Sequence, residues 1–95
     1  MIEAEVYKAL GDPIRLEIIK RLSTRSANNI GELSADLGLS RQGARKQLQV
    51  LVRANVVQLE QRGRQTEVIL NKNTLELARA FITNLERQWD GRLNA

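Results

Sequence analysis

The spacing of apolar residues changes once along this 95-residue chain, and that change limits the folds it can adopt. Up to about Ala54, apolar residues recur every three or four positions, which is typical of amphipathic helices. From Val57 to Leu70 they alternate with polar residues, which is typical of strands. Gly63 interrupts the alternating segment, so this segment predicts a β-hairpin that turns there. The chain must therefore place a small hairpin directly after a helix.

A turn and a shorter helix precede that helix. Ile30, Leu33 and Leu37 follow helical spacing and predict the short helix. Gly38-Leu39-Ser40 forms the turn, and its serine is a favoured N-cap for a helix from Arg41 to about Ala54. A short helix, a three-residue turn and a longer helix make a helix-turn-helix. Its second helix fits a DNA major groove about 12 Å wide.

The outward face of this second helix carries side chains suited to nucleic acid. Ala44, Leu48 and Leu51 are spaced to face the core, which leaves long hydrogen-bond donors on the opposite side. Arg can form two hydrogen bonds with guanine, and Gln two with adenine. Gly43, among these donors, allows either close approach to DNA or a tight contact with the third helix. The residues predicted to contact base edges are Gln42, Arg45, Lys46 and Gln49.

Two arginines flank the hairpin turn at Gly63. A basic hairpin directly after a helix-turn-helix is the wing of a winged helix, which can lie along phosphates or enter the minor groove. Taken alone, the same pair also fits an ordinary exposed hairpin tip. The residues predicted to contact phosphates, at the start of the second helix and in the wing, are Ser40, Arg41, Arg62, Arg64 and Gln65.

Positive charge is concentrated in the same part of the chain. The whole chain has a net charge of +4. Residues 41–64 contain six Lys and Arg against Glu60 alone, so this window supplies the whole excess. Such a window forms either a solvated surface or an electrostatic surface for nucleic acid. The helix-turn-helix and the wing inside it favour double-stranded DNA as the partner.

The other segments predict three further helices. They span residues 2–10, 13–22 and 74–93. The last is capped by Asn73 or Thr74, and residues 23–29 predict a loop. The fold class that follows is mostly α with a small β-hairpin, a winged helix-turn-helix of about five helices and a two-stranded wing. A chain of this length fits one domain, so residues 1–95 are interpreted as a single DNA-binding domain.

The chain contains no His and no Cys. That absence removes the Ser-His-Asp and Cys-His catalytic systems, thiol redox chemistry and the usual zinc sites. Its carboxylates are spaced as helix-surface or capping charges, which is their commoner role. We therefore expect no enzymatic activity, no cofactor and no metal site.

The first ten residues are acidic where a secretory signal would be basic. No segment reaches the ~18 apolar residues that a membrane span needs. We expect a cytoplasmic protein with no membrane partner.

The last predicted helix has an apolar stripe of its own. Its residues step alternately by three and four positions, like the a and d positions of a heptad. The stripe either covers the core of one chain or forms an interface between two chains. A chain this short buries little surface and lacks disulfides, which favours the second alternative. The predicted homodimer interface on this helix comprises Leu75, Ala78, Ile82, Leu85 and Trp89.

Several segments resemble the ArsR-type family of winged-helix repressors. They are KALGDPIRLEII at 8–19, GEL at 31–33, LGLSRQ at 37–42 and LQVLVRANVV at 48–57. Taken in this order, they make the resemblance specific over roughly residues 5–92. The resemblance implies a homodimeric, sequence-specific transcriptional repressor.

The resemblance also bears on the interface and on sensing. It implies a dimer built from the first and last helices, which adds Ile2 and Val6 to the predicted interface. Many members sense metals through Cys on the third helix or His on the last helix. Residues 30–34 contain no thiol and the last helix no imidazole, so metal sensing is not expected. Residues 44–48 read ARKQL where Val-Ser-x-His-Leu is common, and residues 86–93 resemble the metal-independent, SdpR-like branch.

Together these observations predict a homodimeric repressor that binds a pseudo-palindromic operator and does not sense metals. The alternative left open is a winged-helix module that binds a protein or RNA. Activation in place of repression fits the same residues. The effector, the operator sequence and the regulated genes are not indicated by any residue pattern.

Overall fold

The computed structural model describes residues 1–24 and 28–94, which form five helices and three strands. The helices are α1 (Ile2–Leu10), α2 (Pro13–Thr24), α3 (Ile30–Asp36), α4 (Arg41–Arg53) and α5 (Lys72–Asn94). The strands are β1 (Asn28–Asn29), β2 (Val57–Arg62) and β3 (Gln65–Leu70). The predicted fold class, a winged helix-turn-helix with a hairpin, is confirmed.

Side-chain caps begin helices α2, α3 and α4. The Asp12 carboxylate accepts hydrogen bonds from two backbone N–H groups in the first turn of α2, at 2.9 and 3.1 Å. Before α3, Asn29 Oδ1 accepts from the N–H of Glu32 at 2.7 Å. Before α4, Ser40 Oγ accepts from the N–H of Gly43 at 3.0 Å. Each cap satisfies N–H groups that have no partner inside the helix, so these residues determine where the three helices begin.

The last helix begins earlier than the sequence indicates. Lys72 is the first residue of α5, and the Asn71 side chain accepts a hydrogen bond from the N–H of Asn73 at 3.1 Å. Asn73 and Thr74, the predicted caps, therefore lie within the first turn, and Thr74 is buried there. The cap prediction is wrong because another asparagine two residues upstream takes that role.

The hairpin belongs to an antiparallel sheet with the strand order β1-β3-β2. Val57 lies opposite Leu70 and Leu59 opposite Val68, so the alternating apolar residues of both strands fall on matching positions. Val57 and Val68 are buried, whereas Leu59 is 46% exposed. The hairpin is therefore buried at Val57 and Val68, whereas β2 is exposed from Gln58 to the turn.

A third strand lies where the sequence predicts a loop over residues 23–29. Residues 23–24 complete α2, residues 25–27 lie outside the described residues, and Asn28–Asn29 pair with β3 as β1. Two asparagines contain no apolar alternation, so the strand is formed through its neighbour and not through its own composition.

One cluster of buried apolar residues joins the five helices to the hairpin. On α4, Ala44, Leu48 and Leu51 are each no more than 1% exposed. Burying one leucine side chain contributes about 1.5–3 kcal/mol, so this face of α4 is strongly held. The other members of the cluster are Val6, Ala9, Ile18, Leu22, Ile30, Leu33, Val56, Val57, Val68 and Ala78.

Helix α1 packs against the first half of α5. The Tyr7 hydroxyl donates a hydrogen bond to the carbonyl of Ala78, and the Tyr7 and Phe81 rings lie 6.1 Å apart at 56°. Beyond Phe81 most α5 side chains are exposed, and the protein measures 58 × 24 × 23 Å. No helix in the described part of the chain is long and apolar enough to cross a membrane.

Asn55 joins α4 to β2 with a φ of 64°. This left-handed conformation costs residues with a Cβ about 1–2 kcal/mol, and glycine nothing. We expect the free energy of unfolding of Asn55→Ala, measured by urea denaturation, to be about 1 kcal/mol lower than that of Asn55→Gly. Equal stabilities of the two variants would contradict the assigned geometry.

Candidate nucleic-acid interface

The side chains predicted to contact base edges share the exposed face of α4. Gln42, Arg45, Lys46 and Gln49 are all exposed, and they occupy successive turns. The opposite face is fixed by the buried residues Ala44 and Leu48. The structure therefore presents the four predicted residues together, on the side of the helix that is free to enter a groove.

Gly43 belongs to the cap at the start of α4. A Cβ built on Gly43 would lie 3.2 Å from Ser40 Oγ and 4.0 Å from the Leu39 Cβ. No α3 atom is among these close neighbours. The missing side chain therefore accommodates the Ser40 cap, rather than a tight contact with α3.

The two wing arginines, which the sequence treats alike, have different surroundings. The Arg62 Nε lies 3.5 Å from Glu60 Oε1 and 3.4 Å from Glu67 Oε2. Glu60 lies directly opposite Glu67 across the hairpin, so Arg62 offsets the repulsion between these two carboxylates. Arg64 pairs with no carboxylate within residues 1–24 and 28–94. Of the two, Arg64 is the cation that remains available to a ligand.

A cleft of about 210 Å³ lies between the start of α3, the start of α4 and the wing. The side chains lining it include Arg41 and Arg45 from α4 and Arg64 and Gln65 from the wing. Three of the predicted phosphate contacts thus come together here. Arg45 joins them, although its spacing predicts a base contact, whereas Arg62 is not among the residues that line the cleft.

The sequence pattern missed a link behind α4. Arg15 Nη1 donates to Gln47 Oε1 at 2.9 Å, Nε to the carbonyl of Ala9 at 2.6 Å and Nη2 to that of Lys8 at 3.5 Å. One guanidinium group therefore ties the last turn of α1 to α4. No local pattern pairs residues 32 positions apart, so the sequence alone does not indicate this link.

The predicted dimer interface is only partly available to a second chain. Val6 is 0% exposed and Ala78 is 6% exposed, and Leu75 packs against the same core. Val6 and Ala78 are covered within one chain, and Leu75 is partly covered, because α1 lies across the first turns of α5. The interface prediction is wrong for Val6 and Ala78, since buried side chains contribute no area to a contact between chains.

The rest of the stripe on α5 is open. Ile82, Leu85 and Trp89 are 47%, 50% and 56% exposed, and Leu93 continues the same stripe. Ile2, at the start of α1, is also exposed. Three of the five predicted α5 residues and one of the two α1 residues therefore remain available to a partner.

Five acidic side chains among the described residues pair with arginines, namely Glu17, Asp36, Glu60, Glu67 and Glu76. Arg21 lies 3.3 Å from Glu17 and 3.5 Å from Asp36, which links α2 to α3. On α5, the side-chain hydrogen bonds of Arg79 lower the pKa of the exposed Glu76 carboxyl. No group of three or more potential metal-ligating side chains lies within this part of the chain.

Comparison with known proteins identifies the family. A helix-turn-helix domain model matches residues 10–60. The HTH-type transcriptional regulator YuzN of Bacillus subtilis (strain 168) is 34% identical over 77 residues, which cover 75% of this chain and 84% of that protein. The solved structure of an ArsR-like transcriptional regulator from Rhodococcus sp. RHA1 is 27% identical with a TM-score of 0.86, covering 98% of this chain and 87% of that one.

A further solved structure, the transcriptional repressor BigR from Xylella fastidiosa, is 26% identical with a TM-score of 0.67 and covers 84% of this chain and 82% of that one. The chain belongs to the ArsR-type family of winged helix-turn-helix transcriptional regulators. This family is a DNA-binding class and not an enzyme class.

The link through Arg15 makes a testable contribution to stability. Gln47→Ala removes the acceptor of Arg15 Nη1, and we expect a loss of about 0.5–1.5 kcal/mol in the free energy of unfolding. Gln47→Glu retains an acceptor oxygen, so its midpoint of urea unfolding should be equal to or higher than that of the wild type. Gln49→Ala, the same substitution on the exposed face, is the control and should change little. Equal effects of Gln47→Ala and Gln49→Ala would argue against the link.

Proposed function

We propose that this regulator is a homodimeric repressor that binds an inverted-repeat operator, with one recognition helix, α4, in each half-site. One observation supports the proposal: the exposed face of α4 and the free wing cation Arg64 border the same cleft. An α-helix with such a face fits the major groove, and an adjacent basic hairpin can contact the flanking backbone.

Base contacts are assigned to Gln42, Lys46 and Gln49. Their side chains are exposed and lie on successive turns of the same face of α4. Gln can form two hydrogen bonds with adenine and Lys can donate to guanine, each good pair contributing about 1–3 kcal/mol of discrimination. Arg45 lies on the side of this face that lines the cleft with the wing.

Phosphate contacts are assigned to Ser40, Arg41, Arg64 and Gln65. Such contacts set the position of a protein on the duplex without reading sequence. Arg62 contributes less, because Glu60 and Glu67 already neutralise it in the wing. This ranking departs from the sequence pattern, in which both wing arginines are equivalent.

A second copy of this chain is the proposed occupant of the apolar stripe on α5. The stripe is continuous with residues that pack in the chain's own core, and its open part presents Ile82, Leu85 and Trp89 to solvent. Exposed apolar patches of this kind mark interaction surfaces in small proteins. Two copies paired through α5 would place two recognition helices on one assembly, as an inverted repeat requires.

Repression and metal independence are parts of the same proposal. BigR, which is similar over 84% of this chain, is described as a transcriptional repressor. The chain has no Cys or His with which to build the thiolate and imidazole sites used by metal-sensing members. We place the protein in the cytoplasm with chromosomal DNA, and occupation of the operator is the proposed mode of repression.

Selection of bound fragments from a random duplex library tests the proposal. We expect an inverted repeat whose half-site centres are separated by one helical turn, about 10–10.5 base pairs, or by a whole multiple of that distance. In a panel of operator variants, Gln49→Ala should relax the preference at one position per half-site. Arg64→Ala should weaken binding to all operator variants alike. It should also reduce the slope of log affinity against log salt concentration by about one per protomer. Arg62→Ala is the matched control in the same hairpin and should have the smaller effect.

Recovery of no motif, with only salt-sensitive binding to any duplex, would contradict the proposed operator. That result would favour the alternative of a winged-helix module for a protein or RNA partner. Uniform loss of affinity in Gln49→Ala and Arg64→Ala would contradict the assignment of base and phosphate roles.

The dimer is tested by charge substitution on the open stripe. Leu85→Glu places a carboxylate among Ile82 and Trp89, and we expect the dimer dissociation constant to rise roughly 10- to 100-fold. Ala80→Glu adds the same charge on the opposite side of α5 and should leave the constant unchanged. Sedimentation velocity measures both. A wild-type chain that stays monomeric at high concentration, or equal effects of the two variants, would contradict the interface.

A further inference from the structure

Three arginines face the cleft between α4 and the wing without an acidic partner. Arg41 and Arg45 lie one turn apart on α4, and Arg64 lies in the turn of the hairpin. None of the described residues lining the cleft is acidic, and no described carboxylate pairs with any of the three. Like charges gathered at short range repel each other, so an anion in the cleft would relieve this repulsion.

The other polar side chains around the cleft are already engaged. Asn29 Oδ1 accepts from the N–H of Glu32 at 2.7 Å, and its Nδ2 donates to Glu32 Oε1 at 3.1 Å. The Thr66 hydroxyl donates to Gln61 Oε1 at 2.8 Å. The donors that remain for a ligand are the three guanidinium groups and the Gln65 amide. This set of donors selects an anion with several acceptor oxygens.

The size and the donor geometry fit a phosphate group. The cleft encloses about 210 Å³, several times the ~30 Å³ that one water molecule occupies in the liquid. Guanidinium groups form paired, charge-assisted hydrogen bonds with phosphate oxygens. We infer that this cleft is a phosphate-binding site and that, in the DNA complex, it holds one backbone phosphate of each half-site. The second part of this inference rests on the proposed function.

This site changes the role of Arg45. Its spacing on α4 predicts a base contact, but in the cleft it contacts phosphate together with Arg41 and Arg64. One phosphate held by both α4 and the wing fixes these two elements relative to each other. The site therefore sets the depth at which Gln49, one turn further along α4, meets the base edges.

Titration of the free protein with inorganic phosphate tests the site without DNA. Chloride keeps the ionic strength constant, and NMR follows the backbone amides and the arginine Nε–H groups. We expect saturable shifts at Arg41, Arg45 and Arg64. Binding should weaken about tenfold or more in Arg45→Ala and in Arg64→Ala. All three side chains are exposed, so thermal unfolding should be unchanged.

Arg62→Ala is the matched control, because Arg62 is in the same hairpin but pairs with Glu60 and Glu67. The affinity of Arg62→Ala for phosphate should fall by a clearly smaller factor than that of Arg64→Ala, because Arg62 does not line the cleft. An equal loss in Arg62→Ala and Arg64→Ala would overturn the site. Shifts of the same size at Arg53, which is outside the cleft, would do so as well, since they would indicate general ion screening.

Neutral methylphosphonate groups placed one at a time in the selected operator test the DNA part. We expect one position per half-site at which neutralisation weakens wild-type binding about tenfold. The same substitution should weaken Arg45→Ala less than wild type, because one of the three arginine contacts to that phosphate is already lost, and should weaken Arg62→Ala as much as wild type. Arg45→Ala should also lower the salt slope by about one per protomer and leave base preferences unchanged. If Arg45→Ala relaxed the preference at one base pair, Arg45 would be a base contact and the phosphate role assigned to it would be wrong.

The two arms separate the possible failures. If selection yields no operator, the proposed function fails, while the phosphate titration still decides whether the cleft is an anion site. Phosphate binding by the free protein, without coupling of Arg45 to any methylphosphonate position, would overturn the assignment to the DNA backbone. Free phosphate would then be the ligand of the cleft.

Discussion

Burial of one face of α4 determines the rest of the DNA-facing surface. Ala44, Leu48 and Leu51 are almost completely removed from solvent, and rotating the helix would expose them at a cost of several kcal/mol. Because a helix repeats every 3.6 residues, that burial forces Gln42 and Gln49 outward. No interaction among the exposed residues is needed to hold them in place. The interior of the protein therefore decides which side chains can meet DNA.

The position of the wing also depends on the buried face of α4, because the turn at Asn55 connects α4 to the wing. That turn starts β2 shortly after α4, and the hairpin register then brings Arg64 beside the start of α4. Within the wing, the carboxylates of Glu60 and Glu67 hold Arg62. The positive excess of residues 41–64 is therefore not spread evenly, but concentrated where α4 and the hairpin turn meet.

The stripe on α5 and the Arg15 link extend this arrangement beyond one recognition helix. The first turns of the stripe pack in the chain's own core, and the later turns present the proposed surface for a second copy. Arg15 joins α1, which packs on α5, to Gln47 of α4. A shift of α1 against α5 would therefore be transmitted to the recognition helix by this side chain as well as by the shared core.

The local sequence pattern predicted the helices, the turn and the hairpin well, because those features depend on residues near each other in the chain. Apolar spacing and capping residues specify where α2 and α4 begin, and Gly63 specifies the hairpin turn. The third strand at Asn28–Asn29 could not be predicted, because it forms only by pairing with β3.

The candidate site was predictable only as a set of residue types. Helical periodicity gave the outward face of α4, but not which arginines find carboxylates after folding. Arg62 and Arg64 are two residues apart, and only the register of β2 against β3 brings Glu67 to the former. Similarly, the heptad pattern on α5 cannot distinguish a stripe covered by α1 from one that remains open. Such contacts between distant segments decide the burial of Val6 and Ala78.

In the proposed complex, two chains together present two recognition helices to one face of a duplex. Hydroxyl-radical footprinting of the selected operator, combined with native mass spectrometry of the complex, measures this arrangement. We expect two chains per duplex and protected backbone segments related by a dyad, with centres about one helical turn, or 34–36 Å, apart. A single protected segment with one chain per duplex would contradict it.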